Sequence, residues 1–206
     1  MPAQAEASDH FAAAIQRIDE ANAEDPRTET VDGVVAPREV AFSRRVYAWV
    51  EELAEKPSEA LLLAARAHTL RRWEIPRDRY PKTKGGYHAW RRALAQFHAD
   101  QAEQILKDVG YADDILARVR ALITRIGWKD DPEGRVLEDA DCLAFLELKL
   151  HTYLDEWDAE KTVEILRKTL VKMTPRAIEL AKNLPLDPRC VALLRRAAGS
   201  GPDHTA

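Results

Sequence analysis

Apolar residues return at three- and four-residue steps through most of this chain, and no alternating run flanked by hairpin turn signals interrupts them. The pattern predicts an all-α protein. The periodic segments place helices over 8–22, 37–55, 58–73, 87–109, 112–127, 135–157 and 159–172, with two shorter ones near 175–183 and 188–198. Pro57-Ser58 and Thr174-Pro175 read as helix starts, Gly110 and Gly127 as stops, and Asp187-Pro188 opens the last segment. Two stretches, 23–36 and 74–86, read as loops. Asn22, Asp25 and Pro26 read as a helix-ending turn held by side-chain bonds. The expected architecture is a single-domain helical bundle over 9–198, with 1–8 and the Gly-Ser-Gly-Pro tail of 199–206 disordered.

Composition narrows the class. With 206 residues, 46% of them hydrophobic and 32% charged, the chain is long enough for one well-filled core. Apolar runs such as Leu61 to Ala65 fall far short of the ~20 residues of a membrane-spanning helix. No basic segment followed by an apolar one opens the sequence, so a cytoplasmic protein without a membrane partner is expected. Cys142 and Cys190 supply neither a disulfide framework nor a Cys-x-x-Cys knuckle, and Cys142, in an apolar segment, reads as a buried thiol.

Charge is distributed unevenly. Between Arg71 and Arg92 there are eight Lys or Arg against Glu74 and Asp78, a balance of +6 in a chain whose net charge is -4. An anion is expected to bind there. Arg71, Arg72, Arg77, Lys84 and Arg91 are the cationic candidates, because guanidinium groups grip phosphate or carboxylate with two prongs. Gly85-Gly86 would let backbone amides approach an anion at a helix N-terminus. Trp73, Tyr80, Tyr87 and Trp90 could stack a base or a sugar. A solvated loop with its tryptophans packed inward is the plainer reading of the same residues.

Two histidines accompany this stretch. His68 shares a face with Leu61, Ala64 and Ala65, and the next turn of that face brings Arg71 and Arg72. His98 shares one with Leu94, Ala102 and Ile105. Two inward histidines can serve as metal ligands or as an acid/base pair, or be neutral core residues bonded to carbonyls. Carboxylates come from 135–157, where Asp139 falls within a broad apolar arc and Asp141 within a narrower one, while Glu138, Glu147 and Lys149 read as solvated. A carboxylate so placed should meet a metal, a histidine or an arginine.

Phe42-Ser43-Arg44-Arg45-Val46, Leu62 to His68, Phe97-His98-Ala99 and Glu138-Asp139-Ala140-Asp141-Cys142-Leu143 resemble the helical core of HD-domain metal-dependent phosphohydrolases. In that superfamily a histidine, a His-Asp pair, a further histidine and an aspartate follow in order. Here Ser43 stands at the first histidine and Thr69 at the aspartate of the pair. At finer scale residues 9 to 196 are similar to the family called domain of unknown function 4202, through Ile18 to Pro26, His68 to Arg77, Gly86-Tyr87 with Trp90-Arg91, Phe97-His98-Ala99, and Leu137-Glu138-Asp139 with Cys142-Leu143. The superfamily spacing favours Asp141 and the closer family's motif favours Asp139.

The closer family implies a shared fold and site but no reaction, whereas the HD-domain resemblance implies a metal set drawn from His68, His98, Asp139 and Asp141; His68, His98, Asp139 and Glu74 are the expected catalytic residues. Three readings follow. One is an HD-like hydrolase using a divalent metal (Mn, Fe, Zn or Mg) on a phosphorylated or other anionic small molecule, a nucleotide among them. Another is a metal-free protein binding such a molecule in the same cationic pocket. The third, RNA binding by the basic aromatic loop, ranks last in a chain of pI ≈ 5.9 with one positive patch.

Overall fold

A computed structural model describes residues 2–31 and 33–199. The protein is all-α apart from one small hairpin. The expected disordered tail lies, from residue 200 on, outside the described residues, and the first helix, α1, already begins at Pro2 (Pro2–Ala23). Among the described residues no helix is long and apolar enough to cross a membrane.

The chain divides into two compact units, 1–137 and 138–206, a boundary that periodicity alone does not mark. In the first, α2 (Arg38–Leu53), α3 (Glu59–Ala67), α4 (Lys84–Val109) and α5 (Asp113–Thr124) follow α1. Helix α3 is enclosed on nearly every side, packed against α1, α2, α4 and α5. Its sequence, Glu-Ala-Leu-Leu-Leu-Ala-Ala-Arg-Ala, suits that place, since alanines let neighbouring helices approach while the leucines fill the core. Arg66 is the one buried charge on it, gripping Asp19 of α1 through Nε and Nη2 at 2.9 and 2.6 Å. As the sequence indicates, Ser58 caps α3, its Oγ accepting from the Leu61 amide at 3.1 Å.

Three boundaries differ from expectation in ways that matter for function. Residues 23–36 are not all loop: β1 (Thr28–Val31) pairs antiparallel with β2 (Val34–Pro37), Val31 opposite Val34, and Gly33 turns the chain with φ 77°. Asp32-Gly33 between short β-branched runs was the available signal. Helix α3 stops at Ala67, six residues before the expected Trp73. Helix α4 begins at Lys84, so Gly85 and Gly86 lie inside its first turn. There Thr83 Oγ1 accepts from the Gly86 amide, and a Cβ on Gly86 would stand 2.2 Å from the Pro81 carbonyl oxygen.

Helix α5 likewise ends early, at Thr124, where Arg125 takes a left-handed conformation (φ 61°) ahead of Gly127. Helix α6 (Pro132–Leu148) contains the division between the units. The second unit continues with α7 (Leu150–Glu156), α8 (Ala159–Leu170), α9 (Pro175–Lys182) and α10 (Pro188–Gly199). Lys149, at φ -114°, separates the expected 135–157 helix into α6 and α7. Helix α10 packs on α7 and α8, and Leu143, Leu146, Leu150 and Leu166 are buried in this unit.

Candidate functional site

The turn that ends α3 carries one of the two left-handed non-glycine residues among the described residues. His68 caps the helix, and its Nδ1–H donates to the Ala65 carbonyl at 2.9 Å. Arg71 then adopts φ 53°, ψ 35°, a left-handed conformation that costs a non-glycine residue about 1–2 kcal/mol. Two neighbouring helices hold it there. The Arg71 amide donates to Asn22 Oδ1 of α1 at 3.0 Å, and the Leu70 carbonyl accepts from His98 Nδ1 of α4 at 2.6 Å. Asn22 thus ends α1 with its side chain directed to this turn, whereas Asp25 accepts from Arg27 and from the Glu39 amide, the structural role the sequence suggests.

His98 is buried, with 2% of its surface exposed. Burial pushes its pKa down to about 3, Arg72 adds to the effect, and His68 and Arg91 contribute further, against the opposing bond to Leu70. His68, Arg72 and Arg91 therefore lie near enough to His98 to act on it electrostatically. A carbonyl can only accept, so the proton of neutral His98 sits on Nδ1 and Nε2 presents a lone pair. Among the described residues that Nε2 has no hydrogen-bond partner. Neither does Thr69 Oγ1, nor Asn22 Nδ2, both buried. Buried polar atoms are seldom left this way, so three on the residues that frame one turn make it a candidate site; Arg38 Nε and Glu39 Oε2 are the other such atoms among the described residues.

The basic stretch is more committed than its charge suggests. Arg71, expected to face a ligand, is ion-paired with Glu24 and, through Nε at 2.6 Å, with Glu74. That pairing also occupies Glu74, an exposed residue. Arg77 donates to the carbonyls of Tyr80 and Pro81, each at 2.8 Å, and so braces the loop. Trp90 donates to the Ile75 carbonyl at 2.9 Å and carries Arg72 over its ring, 5.1 Å from the centroid, with Arg77 at 5.8 Å. Tyr87, 46% exposed, lies 5.9 Å from the Trp90 ring. Lys84 is exposed, while Trp73, Tyr80 and Arg91 are half-buried. Since α3 stops at Ala67, Arg71 and Arg72 reach the histidines through a 3-10 turn (Arg72–Glu74), not along a helix face.

The carboxylates of the second unit behave differently. Asp139 is buried as expected, but both oxygens hold Thr174: Oδ1 accepts from its amide at 2.9 Å and Oδ2 from its hydroxyl at 2.5 Å. Thr174 in turn caps α9 through the Ala177 amide. Glu138, expected in solvent, is buried and pairs with Lys172 at 3.1 Å. Asp141 is half-buried.

A divalent metal can be weighed against these donors. Ser43, at the first superfamily ligand position, donates to the Val40 carbonyl of its own helix at 3.2 Å, and Thr69 offers a neutral hydroxyl. No group of three or more His, Cys, Asp or Glu suited to a metal occurs among the described residues. Arg72 and Arg91 add positive charge near His98, which disfavours a cation there. Within the first unit the donors do not fit a tightly held metal.

Residues 12–194 match the model of a family described as domain of unknown function, DUF4202. The chain belongs to that family. The match takes in every element from α1 into α10, and so includes Asn22, His68, Thr69 and His98. No curated protein and no solved structure matches this DUF4202 chain. Thr69 and Asn22 are the members of the site that charge and periodicity do not single out. Asn22 was legible only as a helix-ending residue, and Thr69 only as the residue standing at the aspartate of the superfamily's His-Asp pair.

Proposed function

We propose that this chain is a metal-free binding protein for a phosphorylated or otherwise anionic small molecule, a nucleotide being one example, held at the turn between His68 and Arg72. The observation that carries the reading is the nearness of Arg72 and Arg91 to buried His98: burial is the main reason its pKa is low, and the two guanidiniums lower it further, since positive charge that disfavours an imidazolium attracts an anion. Arg91, which has no ion pair or hydrogen bond among the described residues, and Arg72, positioned by the Trp90 ring, supply the charge. Arg71 and Arg77 shape the loop instead of meeting the ligand.

Titration calorimetry with inorganic phosphate, sugar phosphates and mononucleotides tests this. Arg72→Ala is expected to weaken binding by about 1.5–3 kcal/mol, the range for a charge-assisted contact, while Arg77→Ala leaves the enthalpy per site unchanged. Absence of binding by every anion in the panel overturns the proposal.

One observation favours a second reading, the HD-like hydrolase. Both histidines give Nδ1–H to a backbone carbonyl, the arrangement that orients metal-ligating imidazoles through Nε2. Under it, elemental analysis of untagged protein would find one divalent ion per chain. Metal addition would then unmask phosphoester hydrolysis lost in His68→Ala.

A further inference from the structure

Arg27, Arg44, Arg66, Arg118 and Arg120 each hold a carboxylate and are spent on the fold. The opening of α4 is different. No Asp or Glu occurs between Asp78 and Asp100, and Lys82, Lys84, His88 and Arg92, all exposed, make no ion pair or hydrogen bond among the described residues. With about 3.6 residues per turn, Lys84, His88 and Arg92 fall within an arc of about 80° and follow one another at about 6 Å along the axis. Gly86 and Trp90, on the far side of the helix, are the residues that meet the 75–83 loop, at the Pro81 and Ile75 carbonyls. Arg120 of α5 pairs with Asp100 and Glu103, and α5 stops one turn later at Thr124, so the first turns of α4 run on past it. Lys84 gains nothing from the helix, since a cation in the first turn opposes the macrodipole. Tyr87 flanks the row, and the rings of His88 and Trp90 stand at 66° and 52° to its own, so neither lies flat against it.

We infer that this face of α4 docks single-stranded nucleic acid, with successive phosphates at Lys84, His88 and Arg92, Lys82 at one end of the row, and a base stacked on Tyr87. A row of unpaired cations follows a phosphate backbone, and an exposed aromatic ring beside it takes a base of any sequence. A net charge of -4 disfavours a polyanion over the surface as a whole and leaves this face to carry it. A lipid surface fits less well, because the row offers it no apolar side chain besides Tyr87. None of these side chains is among those assigned to the small anion, so the inference stands or falls apart from that reading.

Fluorescence anisotropy of a labelled oligothymidylate with the full chain tests this. Affinity is expected to fall about tenfold between roughly 50 and 200 mM salt, the dependence of about three phosphate contacts. Lys84→Ala combined with Arg92→Ala should weaken binding at least tenfold and flatten that dependence. Tyr87→Ala should weaken it about tenfold with the dependence unchanged, and Tyr87→Phe should bind as the wild type does, a pattern that a change in folding would not produce. No binding at about 50 mM salt, or a Tyr87→Ala protein indistinguishable from the wild type, overturns the inference. Equal or tighter binding of polyglutamate or of phosphatidylserine vesicles overturns it too, and would assign the face to an acidic protein or to a lipid surface.

Discussion

Two buried polar clusters, one in each unit, both stand out in the sequence as candidate chemistry, and the structure treats them in opposite ways. Asp139 meets Thr174 with both carboxylate oxygens, and the threonine passes the interaction on to the first turn of α9. The turn at 69–71 is held just as firmly through the backbone, yet three side-chain atoms around it have no partner among the described residues. A satisfied cluster is a structural device: its groups are already spent on the fold. An unsatisfied one lowers stability by about 1–3 kcal/mol for each atom left without a bond, and it persists where something outside the fold completes it. Burial and charge alone do not separate the two; completeness of hydrogen bonding does.

The largest effect expected from this contrast is a pH dependence centred on His98. Its folded pKa of about 3 lies below the ordinary 6.5, so between those values the unfolded chain takes up a proton that the folded chain refuses. Stability is therefore complete above pH 6.5 and declines as pH falls toward 3. By pH 4 the loss should be roughly 3 kcal/mol, from 1.36 kcal/mol per pH unit. Urea midpoints for the wild type and His98→Phe at pH 7 and pH 4 measure it. A slope that persists undiminished in His98→Phe would assign it to another group.

Next in size, Asp139→Ala should destabilise the protein by about 2–3 kcal/mol, because the Thr174 amide and hydroxyl both lose their buried acceptor. Anion binding should be unaffected. Loss of binding in a folded Asp139→Ala protein would make the second unit's cluster functional and erase the distinction.

A matched pair of substitutions sharpens the contrast further. Thr174→Val removes a hydroxyl that donates to Asp139 and caps the Ala177 amide, and should cost about 1–2 kcal/mol. Thr69→Val removes one that makes no bond among the described residues, and should leave stability unchanged or raise it by up to about 1 kcal/mol. Thermal or chemical denaturation of both variants decides it. Equal losses would mean that Thr69 is as fully bonded as Thr174.

The difference between the clusters also explains how much the sequence disclosed. Helical periodicity located the elements, and Ser58, Thr174 and Gly110 punctuated them as expected, because capping is a local matter settled within four residues. Burial of His98 and Asp139 was equally legible from their neighbours at three and four residues. Partners were not. Asp139 answers to a threonine 35 positions away, and the Arg71 amide to an asparagine 49 away. Arg71 and Arg72 were assigned to a helix face that ceases to exist once Arg71 turns left-handed, a conformation its side chain does nothing to announce. The net charge of residues 71–92 likewise conceals that Arg71 is taken by Glu24 and Glu74, the first of them 47 positions upstream.

Arg71 supplies the smallest effect and the most direct probe of that turn. Replacing it with glycine discards the ion pairs to Glu24 and Glu74, partly exposed and worth about 0–1 kcal/mol together. The same change removes the left-handed penalty of about 1 kcal/mol, partly offset by the greater freedom of glycine in the unfolded chain. Arg71→Gly should therefore lie within about 0.5 kcal/mol of the wild type, and it keeps the amide that donates to Asn22 Oδ1. Arg71→Ala loses the ion pairs and retains the penalty, so it should be less stable than Arg71→Gly by about 0.5–1 kcal/mol, the reverse of the order found inside helices. Both should bind anions as the wild type does, because the arginine side chain is held by its own carboxylates. Denaturation midpoints that rank alanine above glycine would show that position 71 is helical in solution, which would return Arg71 and Arg72 to the face of His68 and dissolve the turn on which the site is built.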